Sequence, residues 1–451
     1  MSNKSKIFMI AGIIFFLVVP ALMSQPLVIK DVQVLTMEND QIQGNQTIII
    51  EDGVIQWIGP DSEADYASTS MIIEGDYYVM PGLAEMHAHI PSSGQGREAM
   101  ENTLALYLTQ GLTTIRGMLG DPAHLELREE AENTDFLSPR IFTSGPSFNG
   151  NSATDQETSR QMVRDQAEAG YDLLKLHPGI TLENFNALAD EANEQGIEFS
   201  GHISEGIGLE HSLEAGQKTI EHFDKYMEFL TGDAEKESAS VIYFGYEETP
   251  RVDLSFIDEA ARITNEADAW VVSTNTLLEN VFNPDLTVEE MQDWPGMEYL
   301  PDDLVNGWSN FVRSTRNSPD YNEEQAREYL DMRKKLTLAL YEHGNRLLLG
   351  ADAPQIFNPP GFAAHRELEL MVESGLTPFE ALQTGTINVG RYLGKQDTVG
   401  KVAEGYRADL ILLDSNPLES IPFHNHIRGV IYRGNYLDQS ELNSLLQRLK
   451  Q

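Results

Sequence analysis

The sequence predicts an α/β protein: a (β/α)8 barrel of the TIM type, carrying a small β-sandwich domain built from both chain ends. Three observations predict it. Both ends of the chain are rich in short β-runs. Eight strand-like runs alternate with helical stretches between those ends. Histidine, lysine and aspartate sit at the C-terminal limits of several of these runs.

The chain has 451 residues, of which 41% are apolar. That composition is globular, and the length suits one large catalytic domain plus a smaller one, or two to three average domains. The formal net charge is −40, from 31 basic and 71 acidic residues. Such a surface repels a phosphate backbone and an anionic bilayer, so nucleic-acid binding is excluded and lipid adsorption disfavoured. The acidic excess serves solubility. Cysteine is absent, so there is no disulfide, and any metal must be held by His, Asp, Glu or a Lys-derived group.

Residues 1–24 read as a signal peptide. Lys4 and Lys6 form a short basic start, and Ile7 to Val19 is an apolar run too short to span a bilayer comfortably. Pro20-Ala21-Leu22-Met23-Ser24 follows, and cleavage is expected between Ser24 and Gln25. The expected location is periplasmic or secreted, with no stable membrane insertion after cleavage. An uncleaved anchor is the alternative, because Leu22 is not small.

After the signal, Leu27-Val28-Ile29, Val32 to Leu35, Thr47 to Ile50 and Val54 to Gly59 read as strands, with Gly53 in a tight turn. The same texture returns at Ala408 to Asp414 and Ile427 to Arg433. Residues 25–79 and 395–440 are therefore assigned to one composite β-sandwich domain, and 80–394 to the barrel. The eight barrel strands are expected at Val79–His89, Leu112–Gly117, Arg140–Ser144, Asp172–Leu176, Glu198–His202, Lys218–His222, Ala269–Thr274 and Arg346–Ala351. Helical stretches such as Leu182 to Gln195 and Glu323 to His343 sit between them. Two connections are longer than a βα unit needs: Tyr226 to Ala269, and Glu279 to about Asn322. Leaving from strand ends, they are expected to form a lid or substrate-selecting walls, or alternatively a contact between copies in a homo-oligomer.

The candidate chemistry starts at His87 and His89. Alternation along a strand points both inward at the mouth of the barrel, where two imidazoles can begin a metal site. Alone, His-x-His is weak. Four further strands end in a possible ligand: Lys175, His202, His222 and Asp352. Each closes an apolar run, where a polar group is costly unless paired or metal-bound.

Flanking motifs extend the pattern. Val79-Met80-Pro81-Gly82-Leu83 precedes the histidine pair, and Gly400-Lys401-Val402-Ala403-Glu404-Gly405 with Ala408-Asp409-Leu410 follows the barrel. Glu367-Leu368 and Gly375 to Leu382 belong to the same pattern. Together these resemble the amidohydrolase superfamily, in its imidazolonepropionase-like and prolidase-like branch, over nearly the whole mature chain. The resemblance implies a hydrolase of carbon–nitrogen bonds in amide, peptide-like or cyclic amide substrates, a dipeptidase among the options. It implies two divalent metal ions: His87, His89 and Asp352 on one, His202 and His222 on the other, and Lys175 bridging them as a carbamate. A free ammonium has no lone pair, so the carbamate is chemically required for that bridge. Zinc is the first expectation; manganese, cobalt and iron fit the spacing as well. A metal-activated hydroxide would attack the carbonyl, with Asp352 as general base and then acid.

Other residues carry weaker readings. His177, two after Lys175, could touch the small-molecule substrate or end the strand. Tyr226 and Asp224 could reach the pocket from beyond His222. Asn149 could line the site or shape a turn. Arg116 could bind a substrate carboxylate bidentately or pair with Glu85. Glu205, in His202-Ile203-Ser204-Glu205, has the spacing of the proton shuttle in the superfamily's one-metal deaminases and imidazolonepropionases, which gives an alternative one-metal mechanism. A non-catalytic surface component with a degenerate site is a further alternative.

Overall fold

The computed structural model describes residues 25–133, 136–232 and 244–450. The expected signal peptide lies outside the described residues. Among the described residues, no helix is long and apolar enough to cross a membrane.

Five strands open the described chain: β1 (Leu27–Leu35), β2 (Ile42–Glu51), β3 (Val54–Pro60), β4 (Met71–Glu74) and β5 (Tyr78–Pro81). Eight more follow: β6 (Leu83–Ala88), β7 (Leu112–Gly117), β8 (Arg140–Thr143), β9 (Leu173–Leu176), β10 (Glu198–Gly201), β11 (Thr219–Glu221), β12 (Trp270–Val272) and β13 (Leu347–Leu348). The last three are β14 (Leu410–Leu413), β15 (Ile427–Tyr432) and β16 (Asn435–Asp438).

One sheet joins the two ends of the chain in the order β16-β15-β14-β5-β1-β2-β3, with β4 alongside β1. Its central run, Leu410 to Leu413, is buried on both faces. Leu410 and Leu412 join Ile29, Val34, Ile48 and Val79 in one apolar cluster, while Ile411 and Leu413 pack into the larger core with Met80 and Val430. Period-two alternation thus lets one short strand serve two cores, which is why its sequence reads as an unbroken apolar run.

Strands β6 to β13 run parallel in two sheets, β6-β7-β8 and β9-β10-β11-β12-β13. Single parallel bridges connect their edges: Ser144 to Leu173 on one side, Ala88 to Ala353 on the other. Helices intervene between most of them, for example Leu182–Gln195, capped by the Thr181 side chain, and Glu323–Glu342, capped by Asn322.

The run expected as one strand at Val79–His89 is two. The chain breaks at Gly82: β5 belongs to the sheet of the chain ends and β6 begins the inner strands. A side chain at Gly82 would lie 2.2 Å from Thr113 Oγ1, so the Thr113 side chain occupies the place a Cβ would take. The eighth expected strand, Arg346–Ala351, is hydrogen-bonded in a sheet only at Leu347–Leu348. Beyond it the chain still runs beside β6, with Met86 N donating to Leu349 O at 2.8 Å and Asp352 N to His87 O at 3.0 Å. A final helix, Gln439–Leu449, was not expected; it carries a capping box at Asp438 and Glu441 and sets Leu445 and Leu449 on Ala105 and Leu106.

Candidate active site

The strand ends bring the six expected ligand residues to one place. His87 lies in β6 and His89 just past it, Lys175 in β9, and His202, His222 and Asp352 just beyond β10, β11 and β13. His89 Nε2 is 2.6 Å from Asp352 Oδ1, His87 Nε2 is 3.4 Å from the same oxygen, and His222 Nε2 is 4.0 Å from Asp352 Oδ2. Ligand atoms of His87, His89 and Asp352 all lie within 4.8 Å of one another. The His202 ring stacks on His222 with centroids 4.8 Å apart, and on its other side on His177 at 5.1 Å.

Each of three imidazoles is held from behind by its other nitrogen. His87 Nδ1 donates to Glu221 Oε2 at 2.7 Å, and His202 Nδ1 to Asp224 Oδ2 at 2.8 Å. His222 Nδ1 lies 2.7 Å from Thr274 Oγ1. These contacts fix the rings and leave Nε2 with its lone pair toward the centre. Burial, and after it mainly the neighbouring cationic groups, pushes His87 and His222 well below the ordinary imidazole range. Burial likewise lowers His202 to about 3 and His177 to about 2, and raises Asp224 to about 7. Neutral imidazoles are the form that binds a metal.

Three site residues adopt left-handed backbone: His222 at φ 62°, Thr274 at 46° and Asp352 at 61°. For threonine this conformation is costly, and such strain is retained where surrounding contacts over-determine it. Arg333 supplies part of that restraint. Its guanidinium donates to His222 O at 2.7 Å, to Ser273 O at 2.6 Å and to Asn275 Oδ1 at 3.2 Å.

Lys175 Nζ is fully buried and has no hydrogen-bond partner. Burial lowers its pKa, which favours the neutral amine. Its stem passes Gly201, where φ is +123° and a side chain would lie 2.5 Å from Leu176 O and 3.0 Å from Lys175 Cδ. Glycine there keeps the space beside the lysine open.

The weaker candidates separate. His177 lines the cavity, and its Nδ1 is buried without a partner. Asp224 acts through His202. The other four do not line the cavity. Tyr226 is buried in the core with its hydroxyl 2.6 Å from Thr264 Oγ1, because the short helix it starts turns it inward. Arg116 is fully buried and engaged, donating to Glu221 Oε1 at 3.0 Å, Tyr392 Oη at 2.9 Å and Met86 O at 2.8 Å, so it orients the carboxylate behind His87 instead of meeting a substrate. Its alternative partner, Glu85, instead accepts from Ala351 N at 2.7 Å and is pushed up by burial. Asn149 shapes a turn, its Oδ1 accepting from Asn151 N at 2.9 Å. Glu205 is exposed beyond the end of β10 and does not line the cavity.

The sequence reading missed Glu221, Thr274 and Arg333. A buried charge in Thr219-Ile220-Glu221-His222 was the available signal for Glu221; nothing local marked the other two.

Above the histidines opens a cavity of about 350 Å³. Its floor is His87, His89, His177, His202, His222 and Asp352. Its walls are Leu277, Leu278, Val281 and Phe282 of the helix Asn275–Phe282, Phe311 of the helix Asp302–Arg316, and Leu119, Phe244, Gln355 and Ile356. Two walls thus come from the long connections expected to select substrate.

A family model described as "Amidohydrolase family" matches residues 78–437, most of the chain. The chain belongs to the amidohydrolase family. Among its relatives, an ochratoxinase of Aspergillus niger is 22% identical over 465 aligned positions, covering 87% of this chain and 82% of the relative. An imidazolonepropionase of Shewanella putrefaciens is 23% identical over 404 positions, covering 82% of this chain and 86% of the relative. A solved Xaa-Pro dipeptidase with bound methionine superposes with a TM-score of 0.66 at 20% identity, over 92% of this chain and 100% of the other, a likeness of fold. This amidohydrolase is a metal-dependent hydrolase of carbon–nitrogen bonds with a small-molecule substrate, and His87, His89 and Asp352 form a possible metal site within it.

Proposed function

We propose that this amidohydrolase cleaves an amide bond at a two-metal site. His87, His89 and Asp352 would hold one ion, His202 and His222 the other, and a carboxylated Lys175 would join them. The observation that carries this reading is the convergence of Nε2 of His87, His89 and His222 on Asp352, with the Nδ1 atoms of His87 and His222 tied behind. The donor set fits. Burial lowers His87, His202 and His222, which favours their neutral, metal-binding form, and it lowers the buried, unpartnered Lys175 Nζ, which favours the amine that can add carbon dioxide with release of one proton. Nitrogen and carboxylate donors suit zinc first.

When bound, the metals supply Lewis acidity and a lowered pKa for water. The chain's own groups do the rest. Asp352, within reach of the floor histidines, takes a proton at a carboxylate oxygen and returns it to the departing nitrogen. Glu221, with Arg116 behind it, keeps His87 in one tautomer. The apolar walls exclude bulk water around the scissile bond. The exposure of Glu205, outside the cavity, favours the two-metal reading over the one-metal alternative.

The architecture that supports this site is a closed (β/α)8 barrel, β6 to β13, with a composite β domain packed beside it. The two edge bridges support closure, and the pairing of β14 with β5 supports the composite domain. The N-terminal pattern of Lys4, Lys6 and the apolar run supports export to a periplasmic or extracellular location.

Metal analysis of the reconstituted protein tests the reading. About two ions per chain, and hydrolysis of simple amides that stops on chelation, are expected. One ion per chain with full activity overturns the bridge.

A further inference from the structure

The walls of the cavity above the histidines are apolar apart from Gln355. Leu277, Val281, Phe282 and Phe311 face it, and Asp352 is its sole charged lining group among the described residues. Lysine and arginine do not line it among those residues. The nearby guanidiniums are committed elsewhere: Arg116 to Glu221, Tyr392 and Met86 O, and Arg333 to His222 O, Ser273 O and Asn275. Six large apolar residues are well exposed among the described ones, and two of them, Leu119 at 44% and Phe311 at 39%, line this cavity. Exposed apolar groups gathered at the mouth of a cavity mark the approach of an apolar ligand.

A substrate carboxylate lodged against these walls would lose its water and meet no lysine or arginine among the described lining residues. A free dipeptide, or any N-acyl amino acid, carries that carboxylate. An aryl or branched alkyl group carries nothing to desolvate and fills the walls. We infer that the substrate is an amide flanked by bulky, uncharged, apolar groups, with no free carboxylate beside the scissile bond. The inference rests on the amide-hydrolase reading above and names the substrate class of the same site. In the reaction, a water oxygen bonds to the carbonyl carbon, the C–N bond breaks, and one water proton ends on nitrogen. The products are a carboxylic acid and an apolar amine. The new carboxylate forms at the floor, beside the ligands, and not against the walls.

Binding tests this separately from turnover. Two ketomethylene analogues of a benzoyl-phenylalanine unit, which have no C–N bond to lose, are titrated calorimetrically into the metal-loaded full chain. One ends in a carboxamide and the other in a carboxylate. The carboxamide is expected to bind about ten-fold or more tighter. Equal or tighter binding of the carboxylate overturns the inference. In Phe311→Arg, at the exposed mouth, the preference should narrow or reverse; an unchanged ratio in the folded variant also overturns it. The corresponding amides are assayed alongside. Tight carboxamide binding without amide cleavage defeats the hydrolase reading and leaves the cavity's preference standing. Cleavage with a preference for the carboxylate does the opposite.

Discussion

Glu221 Oε2 accepts from His87 Nδ1 at 2.7 Å while its other oxygen accepts from Arg116. The carboxylate is therefore a hinge pin between a buried cation and a floor imidazole. Glu221→Gln keeps the shape but puts an amide donor against either Arg116 or His87. Metal affinity should fall about 10- to 100-fold, the usual cost of disturbing a group that orients a ligand. Competition with a chromophoric chelator measures it. Unchanged affinity would show that Glu221 serves packing alone.

Lys175 Nζ is the one buried floor amine with no partner among the described residues. Lys175→Ala should lose one metal equivalent and nearly all turnover, because it removes the group proposed to join the two ions. The space left beside Gly201 can admit a short carboxylic acid, so added acetate or propionate should restore part of both. Metal content by mass spectrometry, with and without the acid, decides it. Full metal content in the variant without added acid would remove the bridge from the mechanism.

The meeting of the six candidate positions was legible because they end apolar runs, and inward alternation places such ends at one mouth. His87 and Lys175 needed nothing more. The groups behind them were not legible, for a physical reason. His222, Thr274 and Asp352 lie in left-handed backbone, which non-glycine residues rarely adopt, so strand periodicity misdirects any inference about the residues next along the chain. Tyr226 illustrates the consequence: counted on from His222 it reached the pocket, yet the turns at His222 and Phe223 send it to Thr264. Arg116 failed differently. Its strand was placed correctly at Leu112–Gly117, but its partner, Glu221, comes from 105 residues away and no local pattern announces it. The break at Gly82 did carry a signal, the Pro81-Gly82 pair, but the apolar residues on either side let the run be read as one strand.

His177 reports on acid stability. Burial holds its folded pKa at about 2, against an ordinary value near 6.5. The unfolded chain therefore binds the proton first. The neutral ring's contribution is fully present above pH 6.5 and is lost as pH falls below it. In metal-free protein, His177→Gln should gain on the wild type by up to about 1.4 kcal/mol for each pH unit below 6, less whatever solvent screening removes from a partly exposed ring. Denaturant unfolding of both proteins at pH 7, 6 and 5 gives the comparison. Parallel pH dependence would mean the ring protonates freely in the folded state.

Arg333 ties together the ends of β11 and β12, and with them two of the strained positions. It reaches His222 O, Ser273 O and Asn275 Oδ1 from the helix Glu323–Glu342, and its guanidinium sits 4.9 Å from the centre of the Phe223 ring. Arg333→Met preserves the apolar stem and leaves two buried carbonyls without donors, at a cost of about 3 kcal/mol. The more telling effect is local. Without the clamp, the left-handed turn at His222 can relax toward ordinary backbone, swinging Nε2 away from Asp352. Loss of stability by chemical denaturation should therefore come with weaker binding of one metal and not the other. Arg333→Lys, which keeps the charge but offers a single ammonium in place of the fork, should recover part of the stability and little of the metal affinity. Equal weakening of both metals would place the effect on the fold as a whole and not on the turn at His222.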